Sequence, residues 1–315
     1  MAGEQDELIT ELMTQAQQAG ASLVQVQVER HRVQPVHFEA NRLKSIERTQ
    51  SQTVALWLWR GGQPGVAVAA GRVSPEQLVA KALAVAALQP PEPVHLPAGG
   101  VRHFAETQPA VEPSVLVAWG EALIAQVRRE YPDVLCQGGL SWEETLTRLV
   151  NSEGLDYTYH ATALEVGMAC EWVRGEDFLL VAEQERTPGG FDPQPLGQRL
   201  CQALAWAHQN VAVPAGDWPV LLTAKAAALL WEPIQAALNG RQVLEGASPW
   251  AHRRGEQVVH PAITCRQEPH VPVHGCPFDD EGVLTQPLTL IAQGVLTCFY
   301  TDQYTARQWG EPSTG

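Results

Sequence analysis

Positive charge is scarce in this 315-residue sequence: 21 lysines and arginines stand against 35 aspartates and glutamates, for a formal net charge of −14. The resulting field repels phosphate backbones and anionic lipid surfaces, which sets nucleic-acid binding and membrane attachment aside as the main function. Long apolar runs are missing as well. "TVALWLW" and "AKALAVAAL" fall short of the ~18 residues that span a bilayer. The opening "MAGEQDELITELMTQAQQAG" has neither the basic start nor the apolar stretch of a secretory signal. Together these absences predict a cytoplasmic protein. The six cysteines, Cys136, Cys170, Cys201, Cys265, Cys276 and Cys298, include no C-x-x-C pair. That excludes a disulfide framework or zinc knuckle and points to reduced, mostly buried thiols. G-x-S-x-G, P-loop and G-x-G-x-x-G motifs are absent, as are internal repeats, low-complexity tracts and heptads.

What is present describes a globular chain, with 45% hydrophobic and 18% charged residues and a length that accommodates two domains at roughly 150 residues each. An amphipathic helix is predicted near residues 4–19, ending at Gly20, followed by the alternating strand "SLVQVQVERH". Strands are predicted at 35–48, 52–60 and 64–70, with "RGGQPG" as a hairpin turn. Ser74-Pro75-Glu76 then opens a helix as an N-cap followed by proline at the first helical position. This makes residues 1–90 an α+β subdomain. The proline- and glycine-rich stretch 91–112 reads as a linker. Residues 113–212 form a second α+β subdomain: a helix at 113–130, strands at 133–139 and 142–150, the alternating "YTYHATALEVGMACEW", and a helix from Pro195 to His208. In "VNSEGLDY", Asn151, Ser152 and Gly154 form a turn, with Gly154 at positive φ. Residues 217–315 read as a β-rich C-terminal domain, with a strand "VLLT", a helix at 223–238 and a late hairpin turning near Gly294. The fold class is α+β, a mixed N-terminal region followed by this β-rich and incomplete domain.

Three places bear chemistry. In "AAALLWEPIQAAL" an apolar helix built to be buried holds a lone carboxylate, Glu232, between Trp231 and Pro233, although a buried carboxylate is costly unless paired. Either the helix ends there, with Glu232 facing solvent, or the glutamate is left from a catalytic arrangement. In "HVPVHGC", His270 and His274 share a face if the segment is extended, and Cys276 follows. Pro272 and Pro277 favour an irregular loop with solvated histidines instead. Asp279, Asp280 and Glu281, before Gly282, form either a hard-cation cluster or, as their spacing favours, a hydrogen-bonded turn.

The stretches "EANRLKSIERTQSQTVAL", "VNSEGLDYTYHATALEVGMACEW", "PFDDEG" and "IAQGVLTCFYTDQYTARQWGEPSTG" resemble the TldD/PmbA family, and within it the PmbA (TldE) branch once called modulators of DNA gyrase. The resemblance covers essentially the whole chain. Its motif positions here are Asn151, Ser152, Gly154, Asp279, Asp280, Glu281, Gly282, Ser313, Thr314 and Gly315. TldD-type members carry H-E-x-x-x-H on the helix of the second domain and a cysteine ligand nearer the C-terminus. They work with PmbA-type partners as a zinc peptidase on small or unfolded peptides. Carried over by position, the first histidine falls on Trp231, the glutamate on Glu232 and the second histidine on Ala236. Family members also continue past the "STG" motif, so the resemblance implies that the cysteine ligand's position lies beyond Gly315 and that the final sheet is truncated.

The resemblance therefore implies a non-catalytic subunit that binds no cofactor itself, with zinc held by a TldD-like H-E-x-x-x-H partner. Peptide would be the substrate, and association with a second copy of this chain is a further possibility. Two other classes stand beside it. One is a metallopeptidase in its own right with His270, His274 or Cys276 as atypical ligands. The other is a binding protein that modulates a gyrase or a toxin–antitoxin system, against whose DNA-binding form the charge argues.

Overall fold

A computed structural model describes residues 2–209 and 211–315 of the chain. Helix α1 (Ala2–Gln18) ends at Gly20, whose φ of +91° releases the chain into β1 (Leu23–Glu39). β1 is longer than predicted because the alternation of its first half continues through Pro35. The proline falls where the neighbour β3 has ended and β2 has not begun, so its missing N–H breaks no ladder bond on that side. The strand predicted at 35–48 is instead a hairpin. Ala40 and Asn41, at φ +48° and +69°, turn the chain into β2 (Arg42–Ile46).

β3 (Thr49–Arg60) and β4 (Gln63–Ala70) join through Gly61 and Gly62, both at positive φ, as the "RGGQPG" signal predicts. Helix α2 (Pro75–Ala86) is capped by Ser74, whose hydroxyl accepts from the Gln77 N–H. Within the predicted linker, Val101–Glu106 forms β5, an edge strand parallel to β7. All the prolines and glycines of that segment except Pro109 lie before it. Then come α3 (Pro113–Glu130), β6 (Leu135–Asn151), β7 (Asp156–Arg174), β8 (Asp177–Thr187) and α4 (Pro193–Trp206), the last capped by Asp192. The two strands predicted between 133 and 150 are one, and β8 was not predicted at all.

These strands form an eight-stranded sheet ordered β4-β3-β1-β6-β7-β5, with β2 beside β1 and β8 beside β7. Its centre is the antiparallel pair β1·β6, in register from Gln25 opposite Asn151 to Phe38 opposite Gly138. On either side the topology repeats. α1-β1-β3-β4-α2 and α3-β6-β7-β8-α4 are two helix–three-strand–helix units related by the β1·β6 seam. Near its middle Arg32 pairs with Glu144 at 3.1 Å. The repeat was invisible in the sequence because it lies in connectivity and register, not in residues.

Period-two alternation gives the sheet two faces. Val24, Val26 and Val28 bury against α1 and α2, while Val36, Phe38, Leu140 and Trp142 bury against α3 and α4. Gln25, Gln27, Glu29 and His31 project from the opposite, open face. The C-terminal unit is seated on this face. It comprises α5 (Ala224–Leu238), α6 (Gly240–Leu244), β9 (Cys265–Gln267), β10 (Leu288–Ala292), β11 (Val295–Leu296) and α7 (Gln303–Trp309). β9, β10 and β11 form a small sheet whose hairpin turns at Gln293 and Gly294, as predicted. Much of the remaining unit is turns, "VLLT" is not a strand, and Gln303–Trp309 forms a helix, α7, capped by Asp302. The α+β class holds throughout. Among the described residues no helix is long and apolar enough to cross a membrane.

Candidate functional site

α5 begins at a Thr223 cap, whose hydroxyl accepts from the Ala226 N–H at 3.3 Å, and runs through Pro233 to Leu238. Proline therefore does not end it. Nor is the helix buried as its composition predicts. Only Ala237 and Leu238 are buried, packing towards Leu290, Ile291, Leu296 and Phe299. Ile234 is half-buried against the same core, and most of the remaining helix extends beyond it, leaving Leu229 73%, Leu230 53% and Trp231 37% exposed. At its start the Lys225 ammonium donates to the Ala182 carbonyl of β8 at 2.5 Å. Glu232 is exposed.

This helix does not fit a zinc ion. Trp231 offers an indole N–H donor and Ala236 a methyl group, neither a ligand, which leaves one carboxylate where a site needs three protein ligands. The loop holding His270, His274 and Cys276 does not assemble a substitute. All three are exposed, and the Cys276 thiol donates to the Phe278 carbonyl at 2.9 Å. Among the described residues no three His, Cys, Asp or Glu side chains converge as a metal site.

The motif residues form a clamp between sheet and C-terminal unit. At the β6–β7 hairpin, Asn151 Oδ1 accepts from the Glu153 and Leu155 N–H groups at 2.9 and 3.1 Å, while its amide donates to the Pro97 carbonyl at 2.9 Å. Ser152 Oγ accepts from the Val24 N–H at 3.1 Å. Gly154 sits at φ +87° with open space where a Cβ would stand. Gly154→Ala is thus expected to cost only the left-handed strain, about 1 kcal/mol, read as a small fall in thermal midpoint.

Opposite this hairpin, Asp279 Oδ1 accepts from the Glu281 and Val283 N–H groups at 3.0 and 2.8 Å, so Asp279–Gly282 is the hydrogen-bonded turn that its spacing predicts. Asp280 gives its carbonyl to Gln25, and Glu281 accepts from the Gln303 N–H at the start of α7. Burial raises both Asp279 and Glu281 above the usual carboxylate range. Phe278 closes the contact against Phe104 and Tyr157, with ring centroids 5.8 and 5.4 Å apart. Ser313 and Thr314 bind the backbone of Thr301, and Gln267 donates to the Gly315 carbonyl.

Residues 215–315 match the PmbA/TldA metallopeptidase C-terminal domain. The Escherichia coli O157:H7 metalloprotease PmbA is 30% identical over 99 residues, 31% of this chain and 22% of that protein. Across 98% of its length the chain superposes on TldE from Thermococcus kodakarensis (TM-score 0.79, 22% identity, 73% of that chain). It matches equally a Thermotoga maritima protein proposed as a modulator of a DNA gyrase (TM-score 0.83, 21% identity, covering 98% and 74%). The C-terminal third of the chain is thus a domain of the TldD/PmbA family, and the chain as a whole shares the TldE fold. At these identities the solved structures establish the shared fold. The chain spans less than half the length of the curated relatives it matches.

The open face also forms a cleft of about 280 Å³ beneath the 273–280 loop, which sequence reasoning missed. Glu29, Glu106, Glu143 and Thr147 line it from the sheet. Burial raises the Glu143 carboxyl, the Arg186 guanidinium at 3.3 Å opposes that shift, and Glu165 beside it adds to it. The Tyr159 phenol donates to Glu106 at 3.3 Å and is pushed up to about 12, chiefly by burial. Alternation in β1 was the available signal, but it does not say which strands bring their polar residues together.

Proposed function

We propose that this chain is the non-catalytic, PmbA/TldE-like subunit of a TldD/TldE-type peptidase assembly acting on small or unfolded peptides, with zinc held by an H-E-x-x-x-H partner. The observation that carries the reading is α5, where the two histidine positions of the family's catalytic helix hold Trp231 and Ala236 and only Glu232 remains. What such a chain contributes is surface. The sheet has a polar open face, and its edge strands β4, β5 and β8 offer main-chain groups to an extended peptide, a mode that gives affinity with little sequence preference.

Elemental analysis after dialysis against a mild chelator tests the ligand argument. The purified chain is expected to retain no stoichiometric zinc. One zinc per chain would overturn the reading and return His270, His274 and Cys276 as ligands.

A further inference from the structure

The chain enters α5 through residues 218–222, an apolar stretch that pairs with nothing. Val220 and Leu221 are 78% and 93% exposed, and among the described residues the backbone of 218–222 makes no hydrogen bond to other backbone. α5 continues the same face. Ala227, Trp231, Ile234 and Leu238 follow at spacings of four, three and four and so share one stripe of the helix. The stripe is covered at Leu238 and Ile234 by the C-terminal core and uncovered at Trp231, with Leu230 exposed beside it. Apolar side chains and unpaired backbone groups left together in this way mark a surface that another chain completes.

Two quantities say what covers it. The accessible surface of the chain is 17777 Å², about 4,900 Å² more than the roughly 12,900 Å² expected of a compact monomer of 34.3 kDa. A stable dimer needs about 800 Å² from each chain, well within that surplus. Charge decides between partners. The chain carries a net −14, but from 209 to 231 it has one acidic residue, Asp217, and one basic, Lys225. A basic partner is drawn to the acidic surface elsewhere. A second copy, with the same −14, is repelled over most of its surface and meets least repulsion at this neutral stretch.

We infer that residues 218–222 and the exposed face of α5 are the docking surface for a second copy of this chain. A two-fold contact sets the same stretch on both sides, so each copy supplies the apolar cover and backbone partners that the other lacks. This contact goes beyond the proposed H-E-x-x-x-H partner and does not depend on it.

Sedimentation equilibrium of the purified chain alone, from about 1 to 100 μM to span micromolar affinities, tests this. A mass of twice 34.3 kDa is expected, with the dimer tightening as salt rises, because screening weakens the repulsion between the two acidic chains. Leu221→Glu and Leu230→Glu would each bury an unpaired charge in the contact, and each is expected to raise the dimer Kd about 100-fold or more. Leu221→Ile is expected to leave it within about threefold. Both leucines are exposed in the single chain, so an unchanged circular dichroism spectrum should accompany the dissociation. A monomer throughout the range, a dimer indifferent to both glutamates, a dimer loosened by salt, or a mass that climbs without limit would overturn the inference.

Discussion

Gly282→Ala is expected to lower stability by about 2–4 kcal/mol, measured as a fall in denaturant midpoint at unchanged slope. Gly282 sits at φ +79°, so any side chain starts with left-handed strain. Unlike Gly154, it has no room. A Cβ would stand 2.7 Å from Leu155 Cδ1 and 3.2 Å from Pro97 Cγ, and Leu155 is fully buried and cannot swing aside. The change therefore wedges apart the turn that seats the C-terminal unit on the sheet. Gly154→Ala serves as the control, since it shares the strain and lacks the clash. Equal losses in the two variants would show that the Gly282 contact carries no weight.

Asn151→Ala is expected to cost about 3 kcal/mol. This side chain is 3% exposed and satisfies three backbone groups, the Glu153 and Leu155 N–H donors and the Pro97 carbonyl. Alanine leaves all three to find other partners at the edge of the core built from Leu149, Leu155, Tyr157 and Phe278. Hydrogen exchange should report the loss locally, with faster exchange at Leu155 and at the 276–285 turn. A melt within experimental error of the unsubstituted chain would refute the clamp.

How far the sequence could be read divides along physical lines. Elements closed by local chemistry were legible: Ser74-Pro75 capped a helix, Gly61-Gly62 turned a hairpin, and Asp279 tied the loop where its spacing predicted. β8 went unread because its partner's alternation gives no sign of where the next strand starts. β5 was hidden behind the prolines that precede it. α5 shows the same limit from the other side. Its composition reads as buried, but whether an apolar helix is covered depends on what packs against it, and most of this one extends past the small core that holds Leu238. The candidate site was legible only as a departure from a family pattern at Trp231 and Ala236. The acidic cleft needed strand pairing before it could be seen.

The proposed action through a partner is tested most directly by mixing this chain with an H-E-x-x-x-H-bearing relative from the same source. Association is followed by co-migration, and cleavage by release of fragments from an unstructured peptide. A complex is expected, with a cleavage rate that neither chain reaches alone and zinc confined to the relative. A relative that is fully active by itself, and that neither binds this chain nor changes its rate when the chain is added, would contradict it.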